Sequence, residues 1–329
     1  MASPPSPASS PSSSRASESA TFVLVAGLAA ALSWARIEFN SIYLPGALEN
    51  VAGIDPRGAA EPFAYRVLVP KLVRFLHEHV ATGASLLAIF RVLDTLFIVG
   101  AFYALRRLAR ESFASSAAVA AASFGLFAML PCHFVFSREY PFWYAWDMAA
   151  VAVFTYGLWL LKQREWLVFY PLFVLGTFNR ETTCFLTFAW VFTAWRSESK
   201  ARVALHAAAQ LGLWLAVKWT LQQLYRRQPG QVFQPAWIEN GESLLDPAMW
   251  RWFALAFGGT WLALPFLYRR IVDPWIRALL WVVPVFATGM FFVGVWTELR
   301  IWGELVPIVL LALVAGAGGR SIARPAVSA

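Results

Sequence analysis

The sequence predicts an all-α, polytopic transmembrane bundle of about nine or ten crossing or half-crossing helices, with an amphipathic interfacial helix in its first outer loop. Three observations predict it. The chain of 329 residues is 59% hydrophobic and only 14% charged, and its mean hydropathy is +0.56, which leaves too little polar surface for a soluble domain. Apolar runs long enough to span a bilayer recur along its whole length. Lys and Arg gather in short loops after those runs, the pattern that sets membrane orientation. The net charge of +8 is therefore an orientation signal and points to lipid as the partner, not nucleic acid.

Residues 1–19 are Ser, Pro and Ala almost throughout, a composition that cannot bury a core and predicts a disordered cytoplasmic tail. A single transmembrane domain then covers 20–320, and 321–329 form a short tail. The run from Thr21 to Ala35 reads as a retained first helix, because apolar and aromatic residues continue through Ile37, Phe39 and Tyr43. A signal peptide with a small-residue cleavage site is the alternative, and either reading places residue 40 outside.

The longest early polar segment is 36–82. It carries Glu38, Glu49 and the turn Asp55-Pro56-Arg57-Gly58, then Pro62, well suited to open a helix because its missing N–H costs nothing there. Leu68, Leu72, Phe75 and Leu76 fall at i, i+4, i+7 and i+8, with Lys71, Arg74 and Glu78 on another face. This pattern suits a helix lying in the membrane interface. A soluble cap helix packed on the bundle is the other reading.

Spans follow at about 84–105, 113–136 and 147–161, the first and third ending in basic clusters that mark the cytoplasmic side. Residues 166–195 are flanked by basic residues at both ends yet are too short for two full spans. Asn179-Arg180-Glu181 interrupts them, which predicts two short helices meeting there. Further spans are expected at about 202–224, 249–267 and 275–296, with a last one returning to Arg320 and Arg324. Both termini are then cytoplasmic.

Candidate site residues stand out as charges kept against this background. Arg180 is suited to a bidentate, charge-assisted bond to phosphate; a structural pair with Glu181 is the competing reading. Glu298, Arg300 and Glu304 form a second cluster, in which Arg300 and Glu304 at i, i+4 can simply pair. Arg66 is another outer-side arginine. Glu38 and Asp55, in the first outer loop, are candidate general bases, with Glu38 preferred. Arg91 and Asp94, at i, i+3, are expected to neutralise each other. The run His77-Glu78-His79 lacks the spacing of a zinc motif, because position 81 is Ala, and His133 and His206 are isolated. Cys132 and Cys184 read as small buried hydrophobes. No P-loop, dinucleotide fingerprint or nucleophile elbow is present.

The acidic first outer loop (Glu38, Asp55), the amphipathic stretch 62–76 and the outer-face arginines together resemble the polytopic, lipid-phosphate-sugar-dependent glycosyltransferases of the GT-C superfamily. The segments Pro62-Phe63-Ala64-Tyr65-Arg66-Val67-Leu68-Val69-Pro70 and Asn179-Arg180-Glu181-Thr182 also look like those of bacterial multi-pass proteins. The adjacent acidic pair common in the first loop of such enzymes is missing here. The resemblance implies transfer of a sugar from a polyprenyl-phosphate donor to an acceptor on the outer face of a bacterial inner membrane. Glu38 or Asp55 would serve as base, and Arg66, Arg180 and Arg300, with Glu181 and Glu298, would bind substrate. A transporter or flippase for an anionic lipid-linked substrate fits the interrupted segment at 166–195. A non-catalytic subunit of an envelope assembly is the third reading.

Overall fold

Helices account for all of the regular structure in the computed structural model, which describes residues 11–43, 65–136, 143–226 and 235–318. Asp55, Glu49, Pro62 and the expected outer turn at 137–141 lie outside the described residues. The first helix, α1 (Pro11–Tyr43), starts inside the stretch read as a disordered tail. Apolar residues from Thr21 onward continue its register without interruption, and the helix extends through the Ser-rich residues before them.

The amphipathic helix is α2 (Leu68–His79). It buries Val69, Pro70 and Val73, whereas Phe75 is more than half exposed. The buried face thus runs through Val69 and Val73, while Leu68, Leu72 and Leu76 of the apolar stripe are half-buried and Phe75 is exposed. Val69, Val73 and Leu76 sit on a cluster built from Ile37, Ile89, Phe90, Trp143 and Trp146. Exposed Phe75 beside exposed Lys71 and Glu78 suits a helix at a lipid–water boundary.

Next come α3 (Leu86–Arg110), α4 (Ser116–Phe134) and α5 (Asp147–Gln163). Ser85 and Ser115 open α3 and α4 by accepting the backbone N–H of Ala88 and Ala118, the usual role of Ser at a helix start. The 166–195 segment is two short helices, as its length demanded: α6 (Trp166–Asn179) and α7 (Phe185–Ala194), joined by a 3-10 turn at Glu181–Cys184. Ser199 caps the long α8 (Lys200–Tyr225).

The span expected at 249–267 is broken. A short helix, α9 (Trp237–Leu245), precedes it, and the span itself divides into α10 (Pro247–Leu255), a 3-10 stretch at Ala256–Ala263 and α11 (Leu264–Leu267). Phe257, Gly258 and Gly259 adopt φ of 55°, 64° and 74°, and a glycine pair makes this left-handed excursion inexpensive. Phe257 has no such freedom; it is held there by burial, its ring edge-on to His133 at 4.5 Å.

Asp273 caps α12 (Pro274–Leu279), which continues almost directly into α13 (Val282–Val293). A 3-10 stretch at Leu299–Leu305 then leads into α14 (Val306–Gly316).

Among the described residues, five helical stretches are long and apolar enough to cross a membrane: Glu18–Phe39, Leu86–Arg110, Ser116–Phe134, Pro274–Val293 and Leu299–Gly316. Trp166–Asn179 is a shorter apolar helix. Phe22, Leu24, Trp34, Leu96, Leu175 and Leu215 are each at least half exposed on the bundle's outside. Such a surface suits lipid rather than water, and the chain is a helical membrane protein. The last stretch, 89% buried and wholly apolar over its α-helical part, Val306–Gly316, is the central element. Small residues let neighbours approach it: a Cβ added at Gly303 would lie 2.3 Å from the Phe134 ring. Cys132 and Cys184 are free thiols, half-buried rather than fully so.

Candidate functional site

The charged residues that the sequence singles out converge at one end of the bundle, around Asp147. This residue is fully buried and begins α5, where the helix dipole favours a carboxylate. Its Oδ2 accepts hydrogen bonds from the Tyr144 backbone N–H at 3.2 Å and from Arg36 Nη1 at 3.5 Å. Its Oδ1 faces Arg180 Nη1 at 3.9 Å and Arg300 Nη1 at 3.7 Å, hydrogen-bonded to neither. Three guanidinium groups therefore look onto one carboxylate.

Each of those arginines has a second acid. Arg36 donates to Asp94 at 2.5 Å. Arg180 reaches Glu304 at 3.1 Å, and Glu304 also accepts the Thr182 hydroxyl at 2.7 Å. Arg300 holds Glu298 at 2.5 Å and lies over the Tyr144 ring at 4.1 Å. A buried charge costs several kcal/mol unless it is paired and hydrogen-bonded, so this pairing is what permits so many arginines inside an apolar bundle.

The Asn179-Arg180-Glu181 break sets much of this geometry. Helix α6 stops at Asn179, whose side-chain N–H₂ donates to the Trp146 carbonyl at 3.0 Å. Arg180 is extended, with φ −160° and ψ 135°, a conformation in which successive side chains diverge. Arg180 accordingly goes to Glu304, while Glu181 goes to Arg66 at 2.9 Å. The alternative Arg180–Glu181 pair does not form. Arg66 also lies over the Trp146 ring at 5.3 Å. Burial alone would lower the Arg66 pKa, but the facing Glu181 carboxylate raises it above its ordinary value. Burial also pushes the Tyr144 phenol up, against the pull of Arg300. The Glu181 carbonyl accepts the Trp214 indole N–H at 2.8 Å, which pins the turn to α8.

Two other pairings differ from expectation. Arg300 and Glu304 do not pair with each other, because residues 299–305 form a 3-10 helix. With three residues per turn, i and i+4 no longer share a face. Arg91 and Asp94 do not neutralise each other either. Arg91 pairs with Glu38 and Asp94 with Arg36, so both bonds tie α3 to α1.

The structure therefore brings Arg66, Arg180, Glu181, Glu298 and Arg300 into one network and sets Glu38 at its edge, 37% exposed. Asp55 lies outside the described residues. Sequence reasoning missed Arg36, Asp94 and Asp147 as members. The available signal was a charge close to the end of each of three apolar runs, at the end where Arg180 and Glu298 also lie. Arg180, Glu304 and Asp147 are deep, each at most 4% exposed, whereas Glu181 and Glu298 keep side-chain exposures of 27% and 16%. The approachable edge of the network is thus Arg66–Glu181 and Glu298, and Arg180 is committed to Glu304. Comparison with protein-family models, curated proteins and solved structures found no match for the chain.

Proposed function

We propose that this protein is a membrane glycosyltransferase that moves a sugar from a polyprenyl-phosphate-linked donor to an acceptor at the network end of the bundle. In this reading the network end faces outward from a bacterial inner membrane, and the basic end and both termini are cytoplasmic. The bundle then comprises about nine or ten crossing or half-crossing helices.

The observation that carries the reading is the meeting of Arg180 and Arg300 at Asp147 Oδ1, at 3.9 and 3.7 Å. The Nε of both arginines and Nη1 of Arg300 are buried and make no hydrogen bond. Guanidinium donors of this kind match the oxygens of a phosphate, and in this reading they would stabilise the charge that grows on the departing lipid phosphate. Arg66, at the open edge, would receive the phosphate first. Glu38 or Asp55 would take the proton from the acceptor hydroxyl as the sugar's bond to phosphate breaks.

A second reading, a transporter or flippase for an anionic lipid-linked substrate, is favoured by one feature: the broken helix pair around Asn179–Glu181, since interrupted helices bind substrate in many transporters.

The test uses the protein in lipid nanodiscs with radiolabelled polyprenyl-phosphate sugars and a panel of hydroxyl acceptors. The expected result is release of polyprenyl phosphate, lost in Arg180→Ala and Arg300→Ala variants whose thermal melting shows them folded. Release at the wild-type rate in both variants would remove the arginines from the chemistry. Movement of the intact donor across a vesicle wall, with no phosphate released, would replace the transferase by the transporter.

A further inference from the structure

The opposite end of the bundle contains a cavity of about 290 Å³ between the end of α3 and the start of α4. Arg106 and Arg110 stand on one side of it, one helical turn apart. Ser116 and Ser123 are among its lining residues, and Val119, Ala120 and Phe124 make an apolar wall. Among the described residues neither arginine has an ion-pair partner, and no carboxylate lines the cavity. The nearest acid in sequence, Glu111, is engaged by the Trp159 indole N–H at 2.8 Å.

We infer that this cavity is a binding site for an anionic phospholipid. Arg106 and Arg110 would hold the phosphate headgroup, and the first methylenes of an acyl chain would lie along Val119, Ala120 and Phe124. Three features argue for lipid over a soluble anion. The charge is of one sign and unopposed. The apolar wall is continuous with α4, one of the stretches suited to crossing the membrane. The arginines terminate α3, another such stretch, which sets them at headgroup depth, where basic side chains attract anionic lipid. This site is remote from the Asp147 network and does not depend on what that network does.

Native mass spectrometry of the protein, released from nanodiscs containing phosphatidylglycerol and phosphatidylcholine, tests the inference. The wild type should retain phosphatidylglycerol in preference. Arg106→Ala/Arg110→Ala should weaken that retention about thirtyfold, the combined effect of two arginines near a charged surface. Ala120→Trp, which fills the cavity without altering charge, should weaken it as well. Arg269→Ala/Arg270→Ala removes two exposed arginines from the same end and should leave retention unchanged. Equal loss in both arginine pairs would reduce the effect to general surface charge and overturn the site. So would undiminished retention in Ala120→Trp. Displacement of the signal by millimolar inorganic phosphate would show a soluble-anion site in place of a lipid one.

Discussion

The two ends of this bundle use arginine in opposite ways. At the network end, Arg36, Arg180 and Arg300 are at most 5% exposed, and each faces two carboxylates. At the basic end, Arg164 and Arg202 are nearly half exposed and share the single carboxylate of Glu198. Arg107 there rests on the Trp159 ring, and Lys162 on the Trp275 ring while donating to the Ser112 hydroxyl. Lys and Arg at the second end need little neutralisation, because their charged heads reach water or lipid headgroups. At the first end no such escape exists, and each charge must be answered from within the protein. Charge is thus balanced by carboxylates inside the protein at one end and by solvent or headgroups at the other.

The contrast can be broken most directly at Asp147. Asp147→Ala removes the carboxylate that three guanidinium groups share, leaving each with one acid, and should cost about 3–5 kcal/mol, measured by thermal or denaturant unfolding in nanodiscs; a loss below about 1 kcal/mol would mean the network is not the anchor described. The Arg36–Asp94 bond sharpens the point. Arg36→Met and Asp94→Leu should each destabilise by several kcal/mol, and the double variant by clearly less than their sum. A strictly additive double-mutant cycle would show that the two groups do not interact. Gly303→Ala tests the packing beneath Glu304. The new methyl would press on Phe134, at a cost of about 1–3 kcal/mol, readable in the same unfolding measurement. The smallest effect belongs to the basic end. Arg164→Ala breaks a pair whose cation is 45% exposed and should cost less than about 1 kcal/mol after solvent screening, with even that fading at high salt. A cost there equal to that of Asp147→Ala would erase the distinction between the ends.

Much of the architecture was legible in the residues. Hydropathy alone revealed a helical membrane protein, and arithmetic on the length of the 166–195 segment revealed its two half-helices. What could not be read was where the chain abandons regular helix. The segment 249–267 reads as one apolar span, yet the glycine pair at 258–259 bends the backbone left-handed and divides it. The 3-10 geometry at 299–305 likewise undid an i, i+4 pairing that ordinary helical spacing suggested. The site was half visible for a related reason. Arg180 and Arg300 stood out as charges against an apolar background, but their partners are distant in sequence. Asp147 looked like the boundary of a helix and Arg36 like a flank of the first one. Only the packing of α1, α3 and α5 side by side shows that one carboxylate serves several elements.

The position of Arg36 carries a consequence for biogenesis. Its helix is made before the acids that answer it, which follow 58 and 111 residues later. Until Asp94 emerges, α1 carries an arginine with no counter-ion, which the lipid interior disfavours. The early helix is therefore expected to linger beside the insertion machinery, or at its water-filled edge, until α3 arrives to pair with it. Completion of the cluster must wait for α5. A chain truncated before Asp147 is thus expected to leave Arg36 with one of its two carboxylates, and one extended through α5 to supply both.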